Sequence, residues 1–170
     1  MRVRLRLSLA ILVVVAVLGL SLGALLVHAA RVRSEQALQE RLLAIAVTAA
    51  EHIDGDHHVR IRTEADPEFV AIRDQLRRIQ RANGLGTEVY TLVPDGPRST
   101  RFGAMTNVSP FVGHAYQYRP AMAATFERGE ARATAVYRDD HGAWISAYAP
   151  IRASDGRVVA LVEGDEPAEA

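Results

Sequence analysis

The sequence predicts an α+β protein: an N-terminal transmembrane helix, a long helix, and then a domain whose antiparallel sheet is covered by helices. Three observations predict it. Leu7 to Ala30 is an uncharged, largely apolar run of 24 residues. Beyond it come two stretches of helical periodicity. The chain then closes on Ala131 to Asp165, which reads as three short strands joined by Asp139-Asp140-His141-Gly142 and Ala153-Ser154-Asp155-Gly156. Both tetrads are turn chemistry, because Asp bonds its own backbone and Gly accepts positive φ. A three-stranded meander cannot bury its apolar face alone, so upstream elements must cover it.

Roughly 20 apolar residues span a bilayer, so the 7–30 segment is long enough to cross. The rival is a cleaved signal peptide, since the start is basic and Val27-His28-Ala29 offers small residues. A signal h-region is shorter, about 7–15 residues. Arg2, Arg4 and Arg6 outweigh Arg31 and Arg33, which places a tail of residues 1–6 in the cytoplasm and residues 31–165 outside it. The expected location is a bacterial inner membrane, crossed once, with the domain periplasmic or extracellular and lipid as one partner. All 20 acidic residues follow Ala30, against 17 Arg, a net of −3. That balance excludes nucleic acid, which needs clustered positive charge. With no Cys, disulfides and thiolate chemistry are excluded too.

Ser34 to Ile53 is expected to be an amphipathic helix, capped by Ser34, with Leu38, Leu42, Ile45, Ala49 and His52 or Ile53 on one face. Two roles fit it: covering the sheet, or joining membrane to domain as a homodimer seam. Gly55 then breaks the helix inside His52-Ile53-Asp54-Gly55-Asp56-His57-His58. These are zinc-type ligands, but their spacing matches no defined metal motif, and a solvated turn is expected. Neither a metal nor a cofactor is assigned.

Asp66-Pro67 opens a second helix with Phe69, Ile72, Leu76 and Ile79 inward, Arg73, Arg77, Arg78 and Arg81 on the wet face, and Asn83-Gly84 as the stop. Glu88 to Val93 and Arg101 to Thr106 read as strands. Asn107 to Tyr116 reads as an irregular loop, and Arg119 or Pro120 to Arg128 as a short helix stopped by Gly129. In the closing strands, Ala143, Ile145, Ala147, Ala149 and Ile151 alternate with Trp144, Ser146, Tyr148 and Pro150. Val158, Ala160, Val162 and Gly164 likewise alternate with Val159, Leu161, Glu163 and Asp165.

This order carries Tyr116-x-Tyr118-Arg119-Pro120, then Asp140-x-Gly142-x-Trp144-Ile145-Ser146-Ala147-Tyr148-Ala149-Pro150-Ile151, then Asp155-Gly156-x-Val158-Val159-Ala160-Leu161-Val162. Behind a membrane helix, it resembles the extracytoplasmic Cache family of PAS-like sensor domains over residues 31 to 165. The resemblance implies a five-stranded antiparallel sheet with the long helices on one face and a small-molecule pocket on the other. It places Tyr116, Tyr118, Arg119, Tyr137, Trp144, Tyr148 and Asp165 at ligand-contact positions. The ligand is expected to be small and anionic, oriented by Arg119, whose planar fork fits a carboxylate. The same Arg119 could instead pair with Glu127 or Glu130, and Trp144 and Tyr148 could be plain core. Where the family's amino-acid binders carry aromatics after the Arg, Pro120-Ala121-Met122 stand here.

No kinase histidine box, Gly-rich nucleotide loop, acidic cyclase motif or Gly-x-Ser-x-Gly occurs, so the chain is not expected to be an enzyme. Its output is expected to pass to a membrane-bound kinase or cyclase, either as a partner protein or as the other half of a longer one. The tail of residues 166–170 stands where the family continues into another membrane helix. The alternative is a membrane-anchored structural or assembly module with no ligand.

Overall fold

The computed structural model describes the backbone of residues 2–168, with the side chains of residue 12 and residues 14–168. Side chains of the expected tail 1–6, and the last two residues of the expected tail 166–170, lie outside the described residues. Two compact units are present, residues 1–37 and 38–170.

The first unit belongs to helix α1 (Arg2–Glu51). Its described leucines and valines are exposed, Leu20 by 75% and Leu12 by 67%. Among the described residues one helix is long and apolar enough to cross a membrane, and it is this one. That fits a single-pass membrane protein. Ser34 is interior to α1 rather than a cap at its start: no Gly or Pro lies near it to interrupt the helix.

In the second unit, α1 ends at Glu51 and is followed by α2 (Gly55–His58), α3 (Pro67–Ala82), β1 (Val89–Pro94), β2 (Thr100–Met105), β3 (Ala115–Tyr116), α4 (Pro120–Arg128), β4 (Arg132–Ala133), β5 (Tyr137–Asp139), β6 (Gly142–Arg152) and β7 (Val158–Pro167). The strand order is β3-β2-β1-β7-β6-β4, with β5 also pairing β6, and all pairings are antiparallel. The expected first strand of the closing meander is thus two short segments, β4 and β5, sharing one edge of β6. The loop expected over residues 107–116 ends in the two-residue strand β3.

One face of the sheet is the main core. Leu42, Ile45, Ala49 and Ile53 of α1 and its extension, with Phe69, Ile72 and Leu76 of α3, pack there on Ile145, Ala147, Ala149, Ile151, Ala160 and Val162. The ambiguity between His52 and Ile53 is resolved by burial: Ile53 is inside, and His52 is exposed. Covering the sheet is therefore the role this stripe performs. The opposite face carries a smaller cluster of Leu92, Met122, Tyr148 and Leu161, beneath α4. Val159 departs from the expected alternation and packs with the main core, beside the register shift at Ile151/Arg152.

Local chemistry fixes the joints. The carboxylates of Asp139 and Asp155 accept from the backbone N–H two residues on, at His141 and Arg157. Gly129 ends α4 at φ 66, a left-handed conformation costly to a residue with a Cβ. Asp54 caps α2 by accepting from the N–H groups of Asp56 and His57, so the histidine-rich segment is a capped turn. Asp66 differs from expectation. It occupies the cap position of α3, but its carboxylate reaches back to the N–H groups of Arg62 and Thr63. The arginines of α3 are not all solvated either: Arg73 and Arg77 donate to the carbonyls of Asn107 and Thr106 and so clip the chain leaving β2.

Leu76 is fully buried and Val70, on the same helix, is 49% exposed. Leu76→Ala is expected to cost about 2–5 kcal/mol and Val70→Ala less than about 0.5 kcal/mol, measured by urea unfolding of the full chain in detergent. Equal losses would show that α3 does not seal the core through this stripe.

Candidate functional site

The cleft lies on the sheet face away from α1 and α3 and has a volume of about 390 Å³. Alternation decides what enters it. On β7, Leu161, Glu163 and Asp165 share this face. Glu163 lies opposite Tyr90 of β1 and Tyr148 of β6, and Asp165 opposite Ser146. The end of β2–β3 adds Tyr116, and the start of α4 adds Arg119.

Five of the seven residues expected at the site line this cleft: Tyr116, Arg119, Tyr137, Trp144 and Asp165. Tyr118 is half-buried among the apolar cluster under α4 instead. Tyr148 lies below the cleft, fully buried, with its hydroxyl lacking a hydrogen-bond partner. Both belong to the support of the cleft rather than its lining.

Arg119 stands at the cap position of α4, just before Pro120. Its Nη2 donates to Asp139 Oδ2 at 3.0 Å, and its guanidinium lies 4.1 Å from the centre of the Tyr137 ring, within cation–π range. The partner is therefore Asp139, not Glu127 or Glu130. Glu130 is engaged by Arg128 and Arg132. Asp139 Oδ1 also accepts from Trp144 Nε1 at 3.1 Å and from the His141 N–H at 2.9 Å. These contacts hold its carboxyl below the usual range, the His141 backbone N–H contributing most. One carboxylate at the β5–β6 turn thus orients both an arginine and the single tryptophan. Arg119 Nε retains no partner.

The opposite wall is acidic: Asp165 lines it, and Glu163 lies buried behind it. Glu163 is fully buried and accepts from Tyr116 Oη at 3.0 Å. Tyr90 Oη donates to Asp165 Oδ2, and the two tyrosine hydroxyls lie 3.1 Å apart. Glu163 Oε2 and Asp165 Oδ1 have no protein partner. Burial, reinforced by the neighbouring Asp165 charge, pushes the Glu163 carboxyl well above its usual 4.5. Burial also raises Asp165 above 3.8. Desolvation keeps the surrounding phenols protonated, raising Tyr90 and Tyr116 and pushing Tyr137 up to about 12. They remain donors across the neutral range.

Sequence reasoning missed Tyr90, Asp139 and Glu163 as site residues. For Glu163 a signal existed: alternation put it beside Asp165 on one face of an otherwise apolar strand, and a carboxyl there is costly without partners. Tyr90 and Asp139 carried no comparable signal, because their partners lie elsewhere in the chain.

The raised carboxyls set a pH dependence. A folded state that holds protons more tightly than the unfolded chain loses stability as pH rises. The contribution of Glu163 is full below about pH 4.5, its usual value, and is lost as pH climbs through the raised folded value. Wild-type stability is expected to decline over that window, and Glu163→Gln, which retains an acceptor for Tyr116, is expected to flatten the decline. Urea unfolding of both chains from pH 4.5 to 8.5 checks it; parallel curves would remove Glu163 as the cause.

No family model matches the sequence, and no curated protein matches it. Among solved structures, the chain is similar to the sensory domain of the Campylobacter jejuni chemoreceptor Tlp3, at 12% identity and a TM-score of 0.48, over 81% of this chain and 55% of that one. It is also similar to the ligand-binding domain of a Pseudomonas aeruginosa amino acid chemoreceptor in complex with GABA, at 16% identity and a TM-score of 0.42, over 79% and 64%. The periplasmic domain of RsbU from Chlamydia trachomatis matches at 14% identity and a TM-score of 0.42, over 80% and 53%. The chain spans about half the length of the Tlp3 and RsbU domains it matches. Of these three, the Tlp3 structure is a chemoreceptor sensory domain and the Pseudomonas aeruginosa structure a chemoreceptor ligand-binding domain.

Proposed function

We propose that this chain is the sensing part of a membrane-anchored signal-transduction protein. Residues 7–30 cross the membrane with the amino terminus cytoplasmic, and residues 31–165 form a non-catalytic domain outside. The cleft binds a small molecule and passes its occupancy to a membrane-bound kinase or cyclase.

The observation that carries the ligand class is the pairing of opposite, incompletely satisfied charges in one cleft. Arg119 has an unpartnered Nε at one wall, and Asp165 an unpartnered Oδ1 at the other. An unpaired polar atom in a desolvated site costs free energy that a ligand group recovers. A molecule with an anionic group for Arg119 and a cationic amine for Asp165 satisfies both, and an amino acid is the simplest such compound. Tyr137 and Trp144 supply walls with polar edges. The open cleft favours this reading over a ligand-free assembly module, because Trp144 and Tyr148 do not pack it shut.

A panel of amino acids, each with its des-amino and des-carboxyl counterparts, tests this on the full chain in nanodiscs. A binder present at about 100 times its Kd is expected to stabilise the domain by about 2.7 kcal/mol, while the single-charge counterparts shift melting much less. Arg119→Ala is expected to cost about 2–5 kcal/mol in calorimetric affinity, Arg119→Lys to recover part of it, and Asp165→Asn to erase the preference for the amine. Unchanged affinity in all three variants would end the assignment of this cleft.

A further inference from the structure

The histidine-rich turn leads to a second cavity that the cleft does not use. It lies on the other side of the sheet, among α2, the segment following it, β2 and the loop before β3, and has a volume of about 260 Å³. Three features distinguish it from an ordinary packing gap.

Its inner end is polar and incompletely satisfied. His58 is 2% exposed. Its Nε2 lies 2.7 Å from Thr91 Oγ1, while Nδ1 is buried with no partner. Burial pushes the imidazole down to about 4, so the ring is neutral at physiological pH. Room for this ring exists because residue 103 is glycine: a Cβ there would lie 2.5 Å from Thr91 Oγ1 and 3.1 Å from the His58 ring.

The electrostatics differ from those of the cleft. The cleft is lined by Glu88, Asp139, Asp140 and Asp165 as well as Arg119, whereas the second cavity is lined by Arg62 and Arg101 and by no acidic residue. Arg62 is exposed, Arg101 half-buried and His58 buried, so polarity runs from rim to depth. Among the described residues no carboxylate lies within 4.0 Å of the Arg101 guanidinium. A half-buried guanidinium without an anion keeps its planar fork of donors available to a carboxylate. Between the charged rim and the histidine the lining is apolar, with Ile61, Val93, Val112 and Val159.

The rim is also held in place. Glu64 Oε1 accepts from the Val112 N–H at 2.7 Å, the Arg62 and Thr63 N–H groups donate to Asp66 Oδ2 at 2.6 and 2.8 Å, and Gly113 N–H donates to the Phe102 carbonyl at 2.8 Å. This explains why the Asp66 carboxylate turns back from α3. A cavity whose walls are fixed beforehand loses less freedom on binding.

We propose that this cavity is a second ligand site, taking a short-chain monocarboxylate whose tail lies among Ile61, Val93, Val112 and Val159 and whose carboxylate faces Arg62 and Arg101. Its volume lies below the roughly 300–1,000 Å³ of drug-sized sites, which limits the tail to a few carbons. The apolar lining rejects inorganic phosphate, which has no apolar part to bury.

Hexanoate and hexylamine, equal in length and opposite in charge, test it on the ¹⁵N-labelled full chain in nanodiscs. The His58 ring nitrogens report this cavity, and the indole N–H of Trp144, the single tryptophan, reports the cleft. Hexanoate is expected to move the His58 signals saturably while leaving Trp144 in place, and hexylamine to move neither. Arg101→Gln is expected to weaken hexanoate by at least about tenfold, the worth of one charge-assisted contact. Val112→Phe is expected to fill the cavity and abolish the response. Immobile His58 signals, movement of Trp144 alone, an equal response to hexylamine, or unchanged affinity in Arg101→Gln would each overturn the proposal. None of these outcomes depends on whether the cleft binds an amino acid.

Discussion

The pairing of β6 with β7 is the constraint on which the rest of the domain depends. From Trp144↔Pro167 through Tyr148↔Glu163 to Ile151↔Ala160, one register sorts the side chains of this span of the two central strands. Ile145, Ala147, Ala149, Ala160 and Val162 go to the helix side, while Tyr148, Leu161, Glu163 and Asp165 go to the cleft. Because side chains alternate with period two, a slip of one residue would exchange the sets. It would drive two carboxyls into the apolar core under α1 and α3 and expose the isoleucine and valine row. The heavy cost of that error is what specifies the sheet.

The same register creates the chemistry of the cleft. Glu163 and Asp165 are two residues apart on one strand, so they share a face and feel each other's charge. Burial favours their neutral forms, while Tyr90 and Tyr116 offer hydrogen bonds to the charged forms. Competition of this kind leaves polar atoms incompletely satisfied, a cost tolerated at sites that bind. Arg119 faces them from a different element, held by Asp139 and the Tyr137 ring. The cleft therefore presents both signs of charge on rigid supports, which suits a ligand that carries both.

On its other face the sheet carries a second recess lined by Arg62 and Arg101. Thr91 meets His58 there, Gly103 leaves room for the ring, and His58 is carried inward by a turn that Asp54 caps. Glu64 and Asp66 are occupied with backbone N–H groups and so stay out of the cavity. The two recesses lie on opposite faces of the sheet, to which alternation deals the side chains of each strand.

The sequence alone determined whatever depends on neighbours along the chain. The apolar run of residues 7–30, the stripe Phe69, Ile72 and Leu76, the stop at Gly129, the Asp-Gly turns and the two faces of β6 were legible, because propensity and periodicity are local. The Ser34 cap failed for a local reason as well: a good cap residue does not start a helix that nothing upstream has ended. Five residues that line the cleft were named through the family resemblance, whereas alternation alone showed only a face, the one that sets Glu163 and Asp165 together. Tertiary structure decided the rest. Tyr90 meets Asp165 across 75 positions of sequence, Arg119 meets Asp139 across 20, and His58 meets Thr91 across 33. Such pairs are chosen by the register of β1 on β7 and by the docking of α2 and α4. Those are settled by the burial of whole faces, a collective property that no single stretch of chain encodes.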